Sequence, residues 1–444
     1  MTTKTIDVQH FINAHKLSVV QITLLVLCFL IVAIDGFDTA AIGFIAPAIR
    51  ADWGLTPGQL APLFGSGLFG LMIGAFAIGP FADRYGRKAV LIFAVVFFGA
   101  ASLASAFSPS LTVLIALRFL TGLGLGGAMP NAITLTSEYC PEGRRSFLVT
   151  LMFCGFTIGS ALGGIVASQI VADYGWHSVL IVGGALPLLL APVLGRALPE
   201  SVRFLVMRGG ATHRIVAALH RIAPEADLQD VAFTGAHKPY GSPLRQLFEA
   251  GLLRGTLLLW LAFFMSLLVV YLLSSWLPTL INGSGVSLRT ASLITAMFQV
   301  GGTVGAVTIG RLMDRLNPHH VLGIAYASAG LFVYLIGHAA ATPWLMVVAV
   351  FGAGFCVSGS QVGANALAAA YYPTASRATG VSWSNGVGRI GSVLGSMLGG
   401  VMLGLGWGLP TVFAIVAIPA VIAGFAIFLL GRVRSRALQL ALQA

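Results

Sequence analysis

Twelve apolar stretches alternate with polar segments along the chain, and each stretch is long enough to cross a lipid bilayer as a helix. About 20 mainly apolar residues are needed for one crossing. The pattern therefore predicts an all-α membrane protein with twelve spans, numbered one to twelve from the N-terminus. Their approximate limits are residues 19–46, 60–81, 89–107, 110–132, 146–171, 177–196, 254–279, 289–311, 320–339, 343–368, 379–403 and 409–431.

One long polar segment separates spans one to six from spans seven to twelve. It contains arginines at near-helical spacing with apolar residues between them, followed by Pro239 and Pro243, which is typical of an amphipathic linker on a membrane surface. We therefore expect a cytoplasmic tail over residues 1–18, a six-helix bundle over 19–196, the linker over 197–253, a second six-helix bundle over 254–431 and a basic tail over 432–444.

Four sequence landmarks occur twice, at an offset of 231 or 232 residues. They pair Pro47 with Pro278, residues 79–84 with 310–315, residues 141–145 with 373–377, and residues 159–163 with 391–395. We interpret this as a tandem repeat of two six-helix halves in the same orientation. Such an arrangement is typical of transporters whose site lies near the midplane, in a cleft between the halves.

Composition and charge agree with this interpretation. The chain is 57% hydrophobic and 9% charged, which excludes a soluble domain. The basic residues that produce the net charge of +11 lie mainly in every second polar segment, which places them on one side of the membrane. Only Arg50 and Arg289 fall on the other side. The positive-inside rule then places both termini in the cytoplasm of a protein of the cell inner membrane. Anionic lipid headgroups, not nucleic acid, are the expected partners of this charge, and we expect a monomer.

Four charged residues lie inside spans: Asp35 and Asp38 in span one, Arg118 in span four and Arg389 in span eleven. Four unpaired charges in lipid would cost on the order of 10 kcal/mol, so these residues must pair or face water. Asp35 and Asp38 share a helix face, and Arg118 lies at a similar depth. We predict that Arg118 pairs with one carboxylate while the other exchanges a proton. The alternative is a fixed salt bridge of all three that only joins spans one and four.

Arg389 differs from Arg118 because spans seven to twelve contain no acidic residue at its depth. An anionic substrate would neutralise it, and a planar guanidinium suits bidentate binding of a carboxylate. We therefore predict that Arg389 binds the substrate carboxylate. A role in helix capping or gating is the alternative.

An aromatic ligand needs apolar walls and a few polar groups. Aromatic and amide side chains at suitable depth are candidates for the substrate pocket. Each aromatic residue alone is more often a core or interface residue. Trp276 and Trp383 in particular suit the two membrane interfaces. The amides are stronger candidates because an amide in lipid needs a partner. The candidates are Phe44, Asn131, Tyr271, Trp276, Phe298, Gln299, Gln361, Asn365, Trp383 and Asn385.

Several motifs resemble a known family. Residues 79–88, Gly-Pro-Phe-Ala-Asp-Arg-Tyr-Gly-Arg-Lys, resemble the loop signature of the major facilitator superfamily, and residues 35–40, Asp-Gly-Phe-Asp-Thr-Ala, resemble its aromatic acid:proton symporter family. Residues 118–126, 198–205, 275–280 and 372–382 are similar to 4-hydroxybenzoate/protocatechuate permeases. The resemblance implies the major facilitator fold and proton-coupled import of an aromatic carboxylate by alternating access.

The resemblance also implies a gate of charged residues at the cytoplasmic helix ends. The positive-inside rule alone would supply its basic members, so the acidic ones are the more informative. The second copy of the loop lacks the Gly-Arg-Lys ending, and we therefore expect an unequal gate in the two halves. The candidates are Asp83, Arg84, Arg87, Lys88, Glu138, Arg145, Asp314, Arg315 and Arg377.

Other functions fit the sequence less well. A proton-driven exporter, or an importer of another small organic anion, would keep the same fold. A membrane sensor would need a signalling domain, for which the linker is too short. An enzyme would need a nucleophile, a histidine cluster or a metal set, and the four cysteines lie at no metal-ligand spacing. We therefore predict no catalytic residue, no metal site and no cofactor.

Overall fold

The twelve predicted spans are confirmed as twelve long apolar helices in the described part of the chain. The computed structural model describes residues 4–208, 212–226, 228, 231–234, 247–248, 252–339, 342–373 and 376–443. Its elements are β1 Lys4–Asp7, α1 Val8–Ala14, α2 Val19–Trp53, α3 Pro57–Tyr85, α4 Arg87–Ser105, α5 Leu111–Tyr139, α6 Arg145–Tyr174, α7 His177–Ala197, α8 Val202–Met207, α9 Thr212–His220, β2 Val231–Thr234, α10 Leu253–Gly283, α11 Leu288–Arg315, α12 Pro318–His338, α13 Pro343–Tyr371, α14 Arg377–Gly404 and α15 Leu409–Gln443. Spans one to six are α2–α7, and spans seven to twelve are α10–α15.

Helix ends follow local capping rules. The Ser110 hydroxyl accepts a hydrogen bond from the backbone N–H of Val113 at the start of α5, and Asn317 accepts one from His319 at the start of α12. Helix α5 continues through Pro130 and beyond the apolar stretch that predicted it, and it ends at Tyr139, two residues before Pro141. The polar C-terminal end of α5 is therefore helical and carries Glu138.

Glycines allow pairs of helices to pack with their backbones in contact. A Cβ atom on Gly159 of α6 would overlap the carbonyl oxygen of Ala33 in α2. A Cβ on Gly70 or Gly74 of α3 would likewise overlap backbone carbonyls of α5. Small residues are common at such contacts because lipid gives apolar helices little reason to associate except close packing.

The same contacts recur in the second set of six helices, at the offset of the sequence repeat. Gly159 against Ala33 corresponds to Gly391 of α14 against Phe264 of α10. The contacts of α3 with α5 have the same counterparts, because Gly301 and Gly305 of α11 lie against the α13 backbone. The internal repeat is therefore a repeat of helix packing as well as of sequence.

The chain forms two compact units, and their limits between residues 38 and 180 fall inside helices. The first unit comprises Met1–Asp38, Phe69–Gly159 and Leu180–Pro239, and the second comprises Thr39–Leu68, Ser160–Val179 and Tyr240–Ala444. Within the second unit, Gly43 of α2 lies against the Ser274 backbone of α10, and Gly65 of α3 lies against Met397 of α14. Segments of α2, α3 and α6 thus pack with the last six spans. The bundle limits given above stay a prediction.

The N-terminal segment and the linker fold together within the first unit. Strands β1 and β2 pair in parallel, and Asp7 caps α1 by accepting a hydrogen bond from the His10 N–H at 2.9 Å. Phe11 and Ile12 of α1 are buried in the same hydrophobic cluster as residues of α8 and α9. The polar composition of residues 1–18 did not predict this structure. Pro239 and Pro243 of the linker lie outside the described residues.

Candidate functional site

Asp38 and Arg118 form a buried ion pair between α2 and α5. The Arg118 Nη1 atom lies 3.1 Å from Asp38 Oδ2, and both side chains are 3% exposed. The Ser102 hydroxyl of α4 donates a hydrogen bond to Asp38 Oδ1 at 2.5 Å. The pair brings opposite charges together inside the first unit, which removes most of the cost of burying either residue alone.

Hydroxyl groups complete the environment of Arg118. Its Nε and Nη2 atoms donate to Ser105 Oγ at 3.3 and 3.1 Å, and Nη2 also donates to Thr121 Oγ1 at 3.1 Å. Ser105 and Thr121 are both buried. Every nitrogen of the guanidinium therefore has an acceptor within the protein, so Arg118 is held in one orientation.

Asp35 lies one turn before Asp38 on α2 and is also buried, with 1% exposure. Between them, Gly36 lies so close to α6 that a Cβ would overlap the carbonyl oxygen of Phe156. A Cβ on Gly183 of α7 would lie 3.4 Å from Asp38 Oδ1. Close packing therefore fixes the rotation of α2 and decides that Asp38 is the carboxylate paired with Arg118.

The second polar cluster contains Arg389 of α14 and lies within the second unit. Arg389 Nη1 donates to the Tyr271 hydroxyl of α10 at 2.8 Å. Its guanidinium carbon lies 5.9 Å from the centre of the Tyr271 ring. Among the residues described, no carboxylate lies within ion-pair distance of Arg389. The half-buried guanidinium keeps donors available for an anion.

Amides extend this cluster across α13 and α14. Asn385 Nδ2 donates to Asn365 Oδ1 at 2.8 Å. One turn away on α13, both polar atoms of the Gln361 amide are buried without a hydrogen-bond partner among the described residues. Tyr271, Gln361, Asn365, Asn385 and Arg389 thus line one region of three neighbouring helices.

The remaining candidates for the substrate pocket have the following contacts. The Trp276 indole N–H donates to the Ser396 carbonyl oxygen at 2.6 Å, and its side chain is fully buried. Trp383 stacks on Trp260 and is 45% exposed. Phe44 lies against Gly164, and Phe298 lies beside Gly354. The Asn131 amide donates to the Gly127 carbonyl oxygen, and the Gln299 amide donates to the Ser274 hydroxyl. All four candidates are buried.

A charge network joins the ends of α4, α5 and α8 in the first unit. Arg87 Nε lies 3.1 Å from Glu138 Oε1, and the Ser201 hydroxyl donates to Glu138 Oε2 at 2.5 Å. Glu200 Oε1 accepts from the backbone N–H groups of Arg87 and Lys88 at 2.9 and 3.1 Å, at the start of α4. A carboxylate at the start of a helix is stabilised because it accepts from N–H groups that have no acceptor within the helix, and because it faces the positive end of the helix dipole.

Glu200 and Ser201 belong to this network but were not among the gate candidates predicted from the sequence. Both lie in residues 198–205, which were noted above only as a motif that resembles a known family. Gly86 adopts a φ of 96°, which suits a glycine, at the backbone turn where α3 ends and α4 begins. A Cβ there would collide with the Glu200 carboxylate.

The other gate candidates are less tightly held. Lys88 Nζ donates to the Gly195 carbonyl at 2.8 Å, and the Arg84 carbonyl accepts from Arg208 at 3.0 Å. Arg145 lies 4.0 Å from Glu142. Asp314, Arg315 and Arg377 are exposed at helix ends, and the side chain of Asp83 lies outside the described residues.

The charged and amide residues of both clusters break the internal repeat. With the offsets fixed by the glycine contacts, Asp35, Asp38 and Arg118 correspond to Ser266, Val269 and Val350. In the other direction, Arg389, Gln361 and Asn365 correspond to Thr157, Met129 and Ile133. The shared scaffold does not require these polar residues, so each half carries a different set of polar groups for a reason other than folding.

Comparisons with known proteins agree with the fold. The sequence pattern of the Major Facilitator Superfamily matches residues 28–288 and 259–442. The 4-hydroxybenzoate transporter PcaK of Pseudomonas aeruginosa is 49% identical over 434 residues, 96% of each chain. The gallate transporter of Pseudomonas putida is 48% identical over 436 residues, covering 97% of this chain and 96% of its own. A solved D-xylose-proton symporter has a TM-score of 0.71 at 18% identity, covering 92% of this chain and 97% of its own, which shows the fold alone.

Proposed function

Because the chain belongs to the major facilitator superfamily, we propose that it imports an aromatic carboxylate together with protons. Relatives that share about half of its residues over nearly their full length are named for 4-hydroxybenzoate and gallate, which supports a hydroxylated benzoate as the substrate class. The protein would lie in the cell inner membrane with both termini in the cytoplasm, as its charge pattern predicts.

The observation that carries this proposal is the Arg389–Tyr271 pair. A guanidinium at membrane depth with no carboxylate partner among the described residues is costly unless an anion binds it. The Tyr271 hydroxyl holds one end of the guanidinium and leaves the other nitrogens able to donate to a carboxylate. The Tyr271 ring adds an aromatic surface beside the site.

Proton coupling is assigned to α2. Asp38 is the counter-ion of Arg118, and Asp35 lies one turn away on the same buried face, so we assign the exchanged proton to Asp35. Protonation of Asp35 would remove the negative charge of its own carboxylate. Proton binding and substrate binding then involve different clusters, one in each unit.

The gate is assigned to the Arg87–Glu138 pair and the Glu200 cap. Alternating access requires contacts that hold in one state and break in the other. The Arg87–Glu138 pair is partly exposed, with 19% and 10% exposure, so water can replace its contacts at modest cost.

The test of the carboxylate site is the change Arg389→Lys. Lysine keeps the charge but loses the planar fork that binds a carboxylate through two hydrogen bonds. We expect the KM for 4-hydroxybenzoate uptake into cells to rise about 10-fold or more, since one charge-assisted hydrogen bond contributes roughly 1.5–3 kcal/mol. The amount of protein in the membrane should stay unchanged.

The matched control is Arg289→Lys, an exposed arginine at the start of α11. It should leave uptake unchanged. An unchanged KM in Arg389→Lys would remove Arg389 from the substrate site. Uptake of non-aromatic anions in place of aromatic acids would favour the alternative of another organic-anion carrier.

A further inference from the structure

Gln361 is the amide of the second cluster whose side chain makes no hydrogen bond within the described part of the chain. Both its Nε2 and Oε1 atoms are buried without a hydrogen-bond partner among the described residues. One turn further along α13, Asn365 donates to the Gln361 backbone carbonyl and accepts from Asn385. Buried amides in native proteins are almost always hydrogen-bonded, so an exception beside a binding site indicates a group that pairs with a ligand.

Helix geometry places Gln361 at the level of Arg389. Consecutive spans run in opposite directions, and the Asn365–Asn385 hydrogen bond fixes the register of α13 against α14. Gln361 precedes Asn365 by four residues and Arg389 follows Asn385 by four, so each lies about 6 Å, one turn, to the same side of that bond. Packed helix axes are about 8–10 Å apart. A single substituted ring therefore has the length to reach from one side chain to the other.

The internal repeat shows that the fold does not need an amide here. Gln361 corresponds to Met129 in α5, which is packed in the core of the first unit. The same scaffold position thus accepts a side chain of similar length without polar atoms. Folding alone gives no reason for Gln361 to carry an amide.

We propose that Gln361 determines specificity by binding a ring hydroxyl of the substrate whose carboxylate lies on Arg389. This proposal rests on the proposed function and adds which substituent is recognised. A neutral amide offers one acceptor oxygen and an NH₂ donor. A second carboxylate would only accept, whereas a phenolic hydroxyl both donates and accepts. Two adjacent hydroxyls satisfy both ends of the amide at once.

The order of affinities follows from this pairing. 3,4-Dihydroxybenzoate uses both ends of the amide, 4-hydroxybenzoate uses one, and benzoate uses neither. A site built to bind a hydroxyl disfavours the analogue that lacks it, because the amide is then left unpaired. We expect benzoate to bind about 10-fold more weakly than 4-hydroxybenzoate, which corresponds to about 1.4 kcal/mol.

The experiment measures the Kd of benzoate, 4-hydroxybenzoate and 3,4-dihydroxybenzoate for the purified full-length protein in lipid nanodiscs. The variant is Gln361→Met, the residue that the repeat carries at the equivalent position, with Gln361→Leu as a second apolar replacement. Gln169→Met, which removes an exposed amide at the far end of α6, is the control. We expect both Gln361 variants to bring the three affinities within about 2-fold of one another, with benzoate affinity unchanged, while the control keeps the wild-type order.

Three outcomes would overturn the proposal. One is a wild-type protein that binds all three acids equally, and another is a Gln361 variant that keeps the wild-type ratios. The third is an equal loss of affinity for all three acids in the variants, which would make Gln361 a support of Arg389. If the wild-type protein binds none of the three acids, the proposed function itself fails, and this result is distinct from the others.

Discussion

At the scale of residues, the free-energy cost of placing charged side chains in lipid allowed the candidate site residues to be predicted from the sequence. Four charges in lipid must be paired or solvated, and this requirement alone selected Asp35, Asp38, Arg118 and Arg389. The sequence could not decide which aspartate meets Arg118, because that depends on the rotation of α2, which the backbone contact of Gly36 with α6 sets. The hydroxyl groups that accept hydrogen bonds from Arg118 could not be predicted either, because serine and threonine are common in any membrane helix.

The two aspartates should differ when each is replaced by asparagine. Asp35→Asn removes the proposed proton carrier but keeps the Arg118–Asp38 pair, so we expect normal protein levels, retained exchange of labelled for unlabelled substrate, and loss of uptake driven by a pH gradient. Asp38→Asn leaves Arg118 buried without its counter-ion, which costs roughly 3–5 kcal/mol, so protein levels and exchange should both fall.

Asp52→Asn is the control for both changes, because Asp52 is an exposed aspartate at the end of α2. It should behave as the wild-type protein does in exchange and in gradient-driven uptake. Proton-driven uptake that persists in both Asp35→Asn and Asp38→Asn would contradict the assignment of the proton to α2.

At the scale of elements, glycine contacts decide which helices pack together. Small residues in runs such as 122–127 and 391–400 indicate close helix packing, but they do not identify the partner helices. The structure pairs α2 with α6 and α3 with α5, and pairs their repeat counterparts in the same way. The partners were not predictable because a glycine can pack against any helix, and the arrangement of the whole bundle decides which helix lies beside it.

Gly159→Ala tests one such contact. The added Cβ would overlap the Ala33 carbonyl of α2, so α2 and α6 must move apart, at a typical overpacking cost of about 1–3 kcal/mol. We expect a lower Tm of the detergent-purified protein. Gly195→Ala in α7 is the matched control, since a Cβ there meets nothing within 4 Å, and it should leave the Tm unchanged or raise it. Equal melting of the two variants would show that the contact has no energetic role.

The charge network at the end of α5 gives a second prediction for elements. Glu138→Gln removes the ion pair with Arg87 but keeps the shape of the side chain. If the network is a gate, the maximal rate of uptake should change several-fold while the KM stays the same. Glu142→Gln is the control, because Glu142 is 59% exposed and its partner Arg145 is 4.0 Å away. A changed KM with an unchanged rate would count against a gate.

At the scale of the whole molecule, hydropathy and repeated landmarks were sufficient to predict twelve helices and a tandem repeat. The thickness of the bilayer sets the length of a span, and the length and composition of each apolar stretch can be read from the sequence. The pairing of β1 with β2 was not predictable, because Lys4 and Val231 lie far apart in the sequence and each strand has only four residues. Such short strands carry little pattern of their own.

The measurement that tests the account most directly is uptake of radiolabelled 4-hydroxybenzoate into proteoliposomes with an acidic exterior, with and without a protonophore. Protein-free liposomes are the control. We predict accumulation above the external concentration that collapses when the protonophore is added. Uptake that is unaffected by the protonophore would contradict proton coupling, and the absence of uptake of any aromatic acid would contradict the proposed substrate class.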